Sequence, residues 1–175
     1  VPKETKALSL NHAFSKLSSN MFSGLNMLRF LRLTHYERSI YGGRIVHIGD
    51  RTFSGLGSLK KLYFEYMDLN KVQLQLSGAV KHIPKLRTIV IHSSPLIIFP
   101  ASILGNLIYI EDISLYRNGI RHIKIEQNAK PLHHVKTLDL SINNIHFIHS
   151  SLYTFFPNLK TLLYPFINYL VFSVS

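Results

Sequence analysis

Ten histidines in 175 residues are the first places to look for chemistry. His133-His134 and His146-x-x-His149 have spacings that a metal ion could use. Protein zinc sites, however, are built from thiolates, imidazoles and carboxylates together. The chain has no cysteine, and no paired carboxylate joins either histidine pair, so no metal ligands and no cofactor are assigned. Catalytic groups are equally scarce. There is no Gly-rich phosphate loop, no nucleophile elbow and no thiol nucleophile, and Asp plus Glu number only 9, so the chain reads as no enzyme. What histidine can still do is titrate, since its ordinary range lies close to endosomal pH. Several histidines charging together on a basic surface would strengthen anion binding.

The elements that would position such groups follow from a repeat. An apolar grid recurs from Thr5 onward, with units opening at Thr5, Leu28, Leu59, Leu86, Ile110, Val135 and Leu159. The unit lengths are 23, 31, 27, 24, 25 and 24 residues. Each unit carries an alternating pair three and five residues in: Leu8/Leu10, Leu31/Leu33, Leu62/Phe64, Ile89/Ile91, Ile113/Leu115 and Leu138/Leu140. That alternation predicts a half-buried strand, one side facing the core and the other facing solvent. Further apolar positions precede each new unit by six residues (Phe22, Phe53, Val80, Leu104, Ala129, Tyr153) and by three (Leu25, Leu56, Ile83, Leu107, Leu132, Phe156). A unit this short cannot bury its own apolar side and must stack on its neighbours, which predicts a solenoid.

The sixth unit, Val135-Lys136-Thr137-Leu138-Asp139-Leu140-Ser141-Ile142-Asn143-Asn144-Ile145, resembles a leucine-rich repeat. Met21-Phe22-Ser23-Gly24-Leu25 and Thr52-Phe53-Ser54-Gly55-Leu56 resemble the Phe-x-Gly-Leu phrase of animal extracellular members. Unequal unit lengths with two long insertions look most like part of a Toll-like receptor ectodomain. The resemblance implies an α/β repeat solenoid: a leucine-rich-repeat horseshoe with a concave parallel β-sheet and an irregular or short-helical convex side. It implies that Asn118 and Asn143 satisfy backbone groups where the chain leaves the strand; Ala13, Tyr36, Met67 and Ser94 stand at that place in other units. Asp139 is then the usual strand-face aspartate of its Leu-Asp-Leu-Ser phrase. One departure is that no Asn-x-Ser/Thr sequon occurs, whereas such ectodomains are usually glycosylated.

Length and a hydrophobic fraction of 46% predict one leucine-rich-repeat domain over 1–175, six full units and a broken seventh. No run approaches a membrane span. Val1-Pro2-Lys3-Glu4-Thr5 is like the phrase that follows a cysteine-rich cap in extracellular members, and Leu170-Val171-Phe172 reads as a makeshift terminal cap. With the terminal caps absent, the expectation is a piece of a longer, single-pass membrane receptor, its ectodomain extracellular or in the endosomal lumen.

Recognition is then the expected function: a fragment of an innate immune pattern-recognition receptor. The alternatives are a secreted or cell-surface adhesion protein of the Slit or proteoglycan kind and a cytosolic leucine-rich-repeat adaptor. The candidate ligand surface is the outward strand face of units two to five, with Arg32, His35, Lys61, Tyr63, Tyr66, His92, Tyr116 and Arg117. Large rings and long cations with polar tips make good contact anchors. The insertion Glu37–Arg44, carrying Arg38, Tyr41 and Arg44 beside Gly42-Gly43, would rise beside them as a loop on a rigid scaffold. The extension Gln73–Gly78 is more apolar and predicts packing on the convex side. Lys plus Arg exceed Asp plus Glu by 20 to 9, a net charge of +11. The cations are scattered along the sequence, and they favour an anionic ligand such as nucleic acid or sulfated glycan. The other expected partners are a protein or microbial ligand and a second receptor chain, in a homo- or heterodimer.

Overall fold

In a computed structural model of the chain, residues 1–11, 15–35, 43–45 and 47–164 are described. Seven strands make one sheet: β1 (Ala7–Asn11), β2 (Phe30–Thr34), β3 (Lys61–Glu65), β4 (Thr88–His92), β5 (Asp112–Ser114), β6 (Thr137–Asp139) and β7 (Thr161–Leu163). They lie side by side in chain order and all pair in parallel. Ala7, Phe30, Lys61, Thr88, Asp112, Thr137 and Thr161 are successive register partners, so every strand starts at the same place in its repeat. Parallel neighbours need a crossover of a dozen residues or more, and the spacing of the repeats supplies one each time.

The alternation in sequence becomes alternation in burial. Leu31, Leu33, Leu62, Phe64, Ile89, Ile91, Ile113, Leu115, Leu138 and Leu140 are all buried, while their strand neighbours are exposed or half-buried. Each fully buried side chain of this kind contributes roughly 1.5–3 kcal/mol. Leu8 and Leu10 are only half-buried, because β1 has a sheet partner on one side alone. The inward residues join one continuous core with the apolar positions of the returning chain. Within it, Phe22 stacks on Phe53 with centroids 6.1 Å apart, and Phe53 meets Phe64 edge-on at 6.3 Å.

Phe22-Ser23-Gly24-Leu25 and Phe53-Ser54-Gly55-Leu56 fold as the same turn. The Leu25 N–H donates to the Phe22 carbonyl (3.2 Å) and the Leu56 N–H to the Phe53 carbonyl (3.1 Å). The glycine third in each turn has φ of +85° or +89°, which type II geometry demands and an L side chain resists.

Among the described residues the returning segments contain three short α-helices, α1 (Gln73–Ala79), α2 (Ala101–Leu104) and α3 (Ser151–Phe155), and a 3-10 turn at Val80–His82 that follows α1. The repeat-three extension forms α1, which buries Leu76, Ser77 and Ala79 and leaves Leu74 exposed. α1 is tied to its neighbour by Ser77 Oγ, which donates to the Ser102 carbonyl (2.7 Å) and accepts from Asn106 Nδ2 (2.9 Å). One expected core position is corrected here. Tyr153 is 40% exposed, and Leu152 and Phe155 are buried in its stead. The helical turn of α3 rotates the apolar face by one residue relative to the grid, and a tyrosine hydroxyl is better left in water. Leu17 is buried, and the pair Lys16–Leu17 bridges in parallel to His47–Ile48. Ala13 and Tyr36 lie outside the described residues.

Candidate ligand-binding face

The open face of the sheet carries the outward residues of each strand. On β2 and β3 a compact group forms. The Phe30 and Tyr63 rings sit 5.1 Å apart, and the Arg32 guanidinium lies over both, 5.6 Å from Phe30 and 5.2 Å from Tyr63. Arg32 Nε is 3.5 Å from Glu65 Oε1, an ion pair without a formed hydrogen bond. Thr34 Oγ1 donates to the other carboxylate oxygen at 3.2 Å. Cation–π contact and ion pair together hold the guanidinium in place while leaving its side chain 41% exposed. Lys61 is exposed beside it.

A second group crosses the later strands. Tyr66 faces His92 at 5.9 Å, and His92 meets Tyr116 edge-on at 4.8 Å. Tyr66 is 47% exposed and Arg117 is also exposed. The structure therefore brings Arg32, Lys61 and Tyr63 into one group and Tyr66, His92 and Tyr116 into a second beside it. His35 is not on this surface: it is buried, 6% exposed, with its backbone N–H donating to the Glu65 carbonyl at 3.0 Å. Arg38 and Tyr41 of the insertion lie outside the described residues. Of Arg44 only the backbone is described: the pair Gly43–Arg44 runs parallel to Met67–Asp68.

Tyr66 and Arg117 also require a correction of backbone. Neither is in a strand. Tyr66, Ser93, Arg117 and Ile142 have φ of +57°, +47°, +57° and +51°, the left-handed region, at the same place in four consecutive repeats. None is glycine or asparagine, so no residue type announced the turn. The signal that could have found it is position, one residue before the ladder of polar side chains that begins there.

That ladder is buried. Asn143 Oδ1 accepts from the Asn118 N–H and the Ile120 N–H, both at 3.0 Å, and Asn143 Nδ2 donates to the carbonyls of Leu115 (2.7 Å) and Leu140 (2.9 Å). Asn118 Oδ1 accepts from the Ser94 N–H (2.8 Å) and its Nδ2 donates to the Ile91 carbonyl (2.6 Å). Ser94 continues the series, its Oγ accepting from the Met67 N–H at 3.0 Å. Buried backbone groups need partners, and each rung supplies them to the repeat before it. Asp139 acts locally, accepting from the Ser141 N–H (2.9 Å) and from Ser114 Oγ (3.2 Å).

His149 Nδ1 accepts from the Ser151 N–H (3.1 Å) at the start of α3, and His134 packs on Tyr109 at 5.6 Å. No group of three metal-ligating side chains occurs among the described residues. Among the described residues Glu111 is the one carboxylate with a clear shift. The hydrogen bond from Lys136 Nζ (2.8 Å) lowers its pKa most, opposed by partial desolvation and helped by Arg87 at 2.7 Å. Among the described residues no helix is long and apolar enough to cross a membrane.

No family model and no curated protein matches the chain. Among solved structures, the crystal structure of a TLR13–ssRNA13 complex is similar over 85% of this chain, with a TM-score of 0.58 and 17% identity. The chain spans about a quarter of that protein's length (23%). At this identity the likeness is one of fold, and with the in-register parallel sheet and the buried asparagine ladder it establishes a leucine-rich-repeat fold that resembles part of a Toll-like receptor ectodomain.

Proposed function

We propose that this chain is a ligand-recognition segment of an innate immune receptor of the Toll-like type, extracellular or endosomal, with the sheet on the concave side of a horseshoe-shaped solenoid. Its ligand is an anionic single strand, an RNA or a DNA, held on the open face of repeats two to five. The observation that carries this reading is the paired arrangement of Arg32 over Phe30 and Tyr63 with the adjoining Tyr66, His92 and Tyr116. Single strands are bound without sequence preference by cationic grooves interleaved with aromatic rings on which bases stack. The similar TLR13 structure was solved with ssRNA13, which supports the ligand class.

The test is titration of a fluorescent single-stranded RNA at two salt concentrations. Arg32→Ala with Tyr63→Ala should weaken binding by about tenfold or more, since each stacked base contributes about 1–3 kcal/mol and the cation adds to it. Lys124→Ala with Lys130→Ala, off this face, should change it little. Affinity should also fall steeply with salt through counterion release. Binding that ignores salt and the Arg32 and Tyr63 changes would leave a protein ligand, such as a second receptor chain, as the better account.

A further inference from the structure

The residue that follows each repeat's opening position is basic in six of seven repeats: Lys6, Arg29, Lys60, Arg87, Lys136 and Lys160, with Glu111 the exception. In sequence these cations look scattered. In the fold they are stacked by the sheet itself, because the backbone N–H of each donates to the carbonyl of the one before. Arg29 donates to Lys6 (2.8 Å), Lys60 to Arg29 (2.9 Å), Arg87 to Lys60 (2.9 Å), Glu111 to Arg87 (2.8 Å), Lys136 to Glu111 (2.8 Å) and Lys160 to Lys136 (2.9 Å). Strand spacing therefore sets the interval at about 4.8 Å, and the first four cations form an unbroken row roughly 14 Å long. The row runs along the edge where the chain enters the strands, beside the open face rather than on it.

Stability does not account for this row. Like charges directly opposite on neighbouring strands are destabilising, and the position tolerates a carboxylate, as Glu111 demonstrates. Glu111 pairs with Arg87 and Lys136, whereas among the described residues no carboxylate pairs with Lys6, Arg29, Lys60 or Lys160. We infer that the row Lys6–Arg29–Lys60–Arg87 is a second docking surface, separate from the face proposed above, and that its occupant is a linear sulfated glycan. A straight file of cations at a regular interval matches a stiff polymer bearing anionic groups along its length. The flanking chemistry separates this occupant from a nucleic acid. The residues just before the repeat openings along the unbroken row are Glu4, Met27, Ser58 and Lys85, which offer no ring for a base. A ring enters only at the far end of the row, where the Arg87 guanidinium lies over Tyr109 at 5.5 Å and His134 is 5.6 Å from that ring. From Lys6 to Lys60 the row supplies charge and hydrogen-bond donors, and the residues before it add no stacking platform of the kind single-strand binders use.

The experiment measures binding of the whole chain to immobilised heparin, with chemically desulfated heparin and a single-stranded RNA as comparison ligands. Arg29→Ala with Lys60→Ala should weaken heparin binding roughly tenfold at moderate salt, two solvent-accessible ionic contacts, one from an exposed and one from a half-buried side chain, being worth about that much together. The same pair should lower RNA binding much less than heparin binding. Lys124→Ala with Lys130→Ala removes the same charge elsewhere and should leave heparin binding nearly intact. Glu111→Gln should strengthen heparin binding, because it releases Arg87 and Lys136 into a longer row. Equal losses from the two double variants would mean that only net charge is read, and the inference fails. Loss of RNA but not heparin binding on changing Arg29 and Lys60 would give the row to the nucleic acid instead. Heparin binding that survives desulfation would also overturn it. None of these outcomes depends on whether Arg32→Ala affects RNA, so this inference and the proposed function can fail separately.

Discussion

Replacing Asn143 by Leu is the sharpest test of how this fold holds together. The two side chains are similar in size, so packing is nearly conserved and the change isolates the hydrogen bonds. Asn143 is 5% exposed and serves two backbone N–H groups, those of Asn118 and Ile120, and two principal carbonyls, those of Leu115 and Leu140. Leucine strands all four in a dry environment. A buried polar group left without a partner costs about 1–3 kcal/mol, and the two N–H groups alone sum to about 2–6 kcal/mol. Carbonyls tolerate loss better, having two lone pairs, and the added apolar burial returns about 1 kcal/mol or more. A net loss of about 3 kcal/mol results, a large part of the roughly 5–15 kcal/mol by which a domain is stable. Urea unfolding followed by circular dichroism would read this as a lower midpoint with an unchanged slope. Amide exchange should accelerate first at Asn118 and Ile120. A midpoint corresponding to less than about 1 kcal/mol of loss, with those amides still protected, would refute the view that the ladder is structural.

Two further outcomes follow from the strand phase and the one shifted carboxylate. Leu138→Asp puts a charge in the continuous core and should cost several kcal/mol, on the order of 3 or more, whereas Asp139→Asn keeps the oxygen that accepts from Ser141 and should move the thermal midpoint little; equal destabilisation in a melting experiment would overturn the assigned faces. Glu111 has its pKa lowered below the ordinary 4.5, so its ion pairs stabilise the fold above that value and the contribution disappears as pH falls through the lower folded value. The difference in melting temperature between the native chain and Glu111→Gln should therefore be present at neutral pH and vanish in acid; a difference independent of pH would contradict the pairing with Lys136 and Arg87.

The strands were legible because their signal is redundant. Leu62 and Phe64 alternate with Lys61, Tyr63 and Glu65, and the same phase recurs in every repeat, so local sequence and stacking demand the same register. The asparagines were legible through the resemblance, which implies an amide at that place to satisfy backbone groups where the chain leaves the strand. Where the readings failed, no such redundancy existed. Tyr153 occupies an apolar grid position, but the short helix α3 has its own period and turned Leu152 and Phe155 inward. His35 follows the last residue of β2, where the alternation no longer governs which way a side chain points, and burial won. The left-handed turns were invisible because Tyr66, Ser93, Arg117 and Ile142 have nothing in common chemically. The row of cations was missed for the opposite reason: its members share a chemistry, but only stacking makes them neighbours.

Those four left-handed residues connect the core to the candidate face. A non-glycine residue at such φ costs about 1–3 kcal/mol and persists only where its surroundings over-determine it. Here the determinant is the next residue in each case. Met67, Ser94, Asn118 and Asn143 are buried and their backbone or side chains are bonded into the ladder, which fixes the peptide just after the turn. The strand fixes the peptide before it, through bonds such as that of the Tyr66 N–H to the His92 carbonyl (3.1 Å) and the Arg117 N–H to the Ser141 carbonyl (3.0 Å). Tyr66 and Arg117 are thus clamped on both sides while their side chains remain in solvent. Their backbones are fixed in advance, so a ligand on the proposed face would have to order less chain there than on a mobile loop. Loosening Asn118 should therefore weaken a ligand that contacts Arg117 although Asn118 itself is buried and touches no ligand. If the proposed face binds, the stability of the ladder and the affinity of the face should change together when these hydrogen bonds are altered.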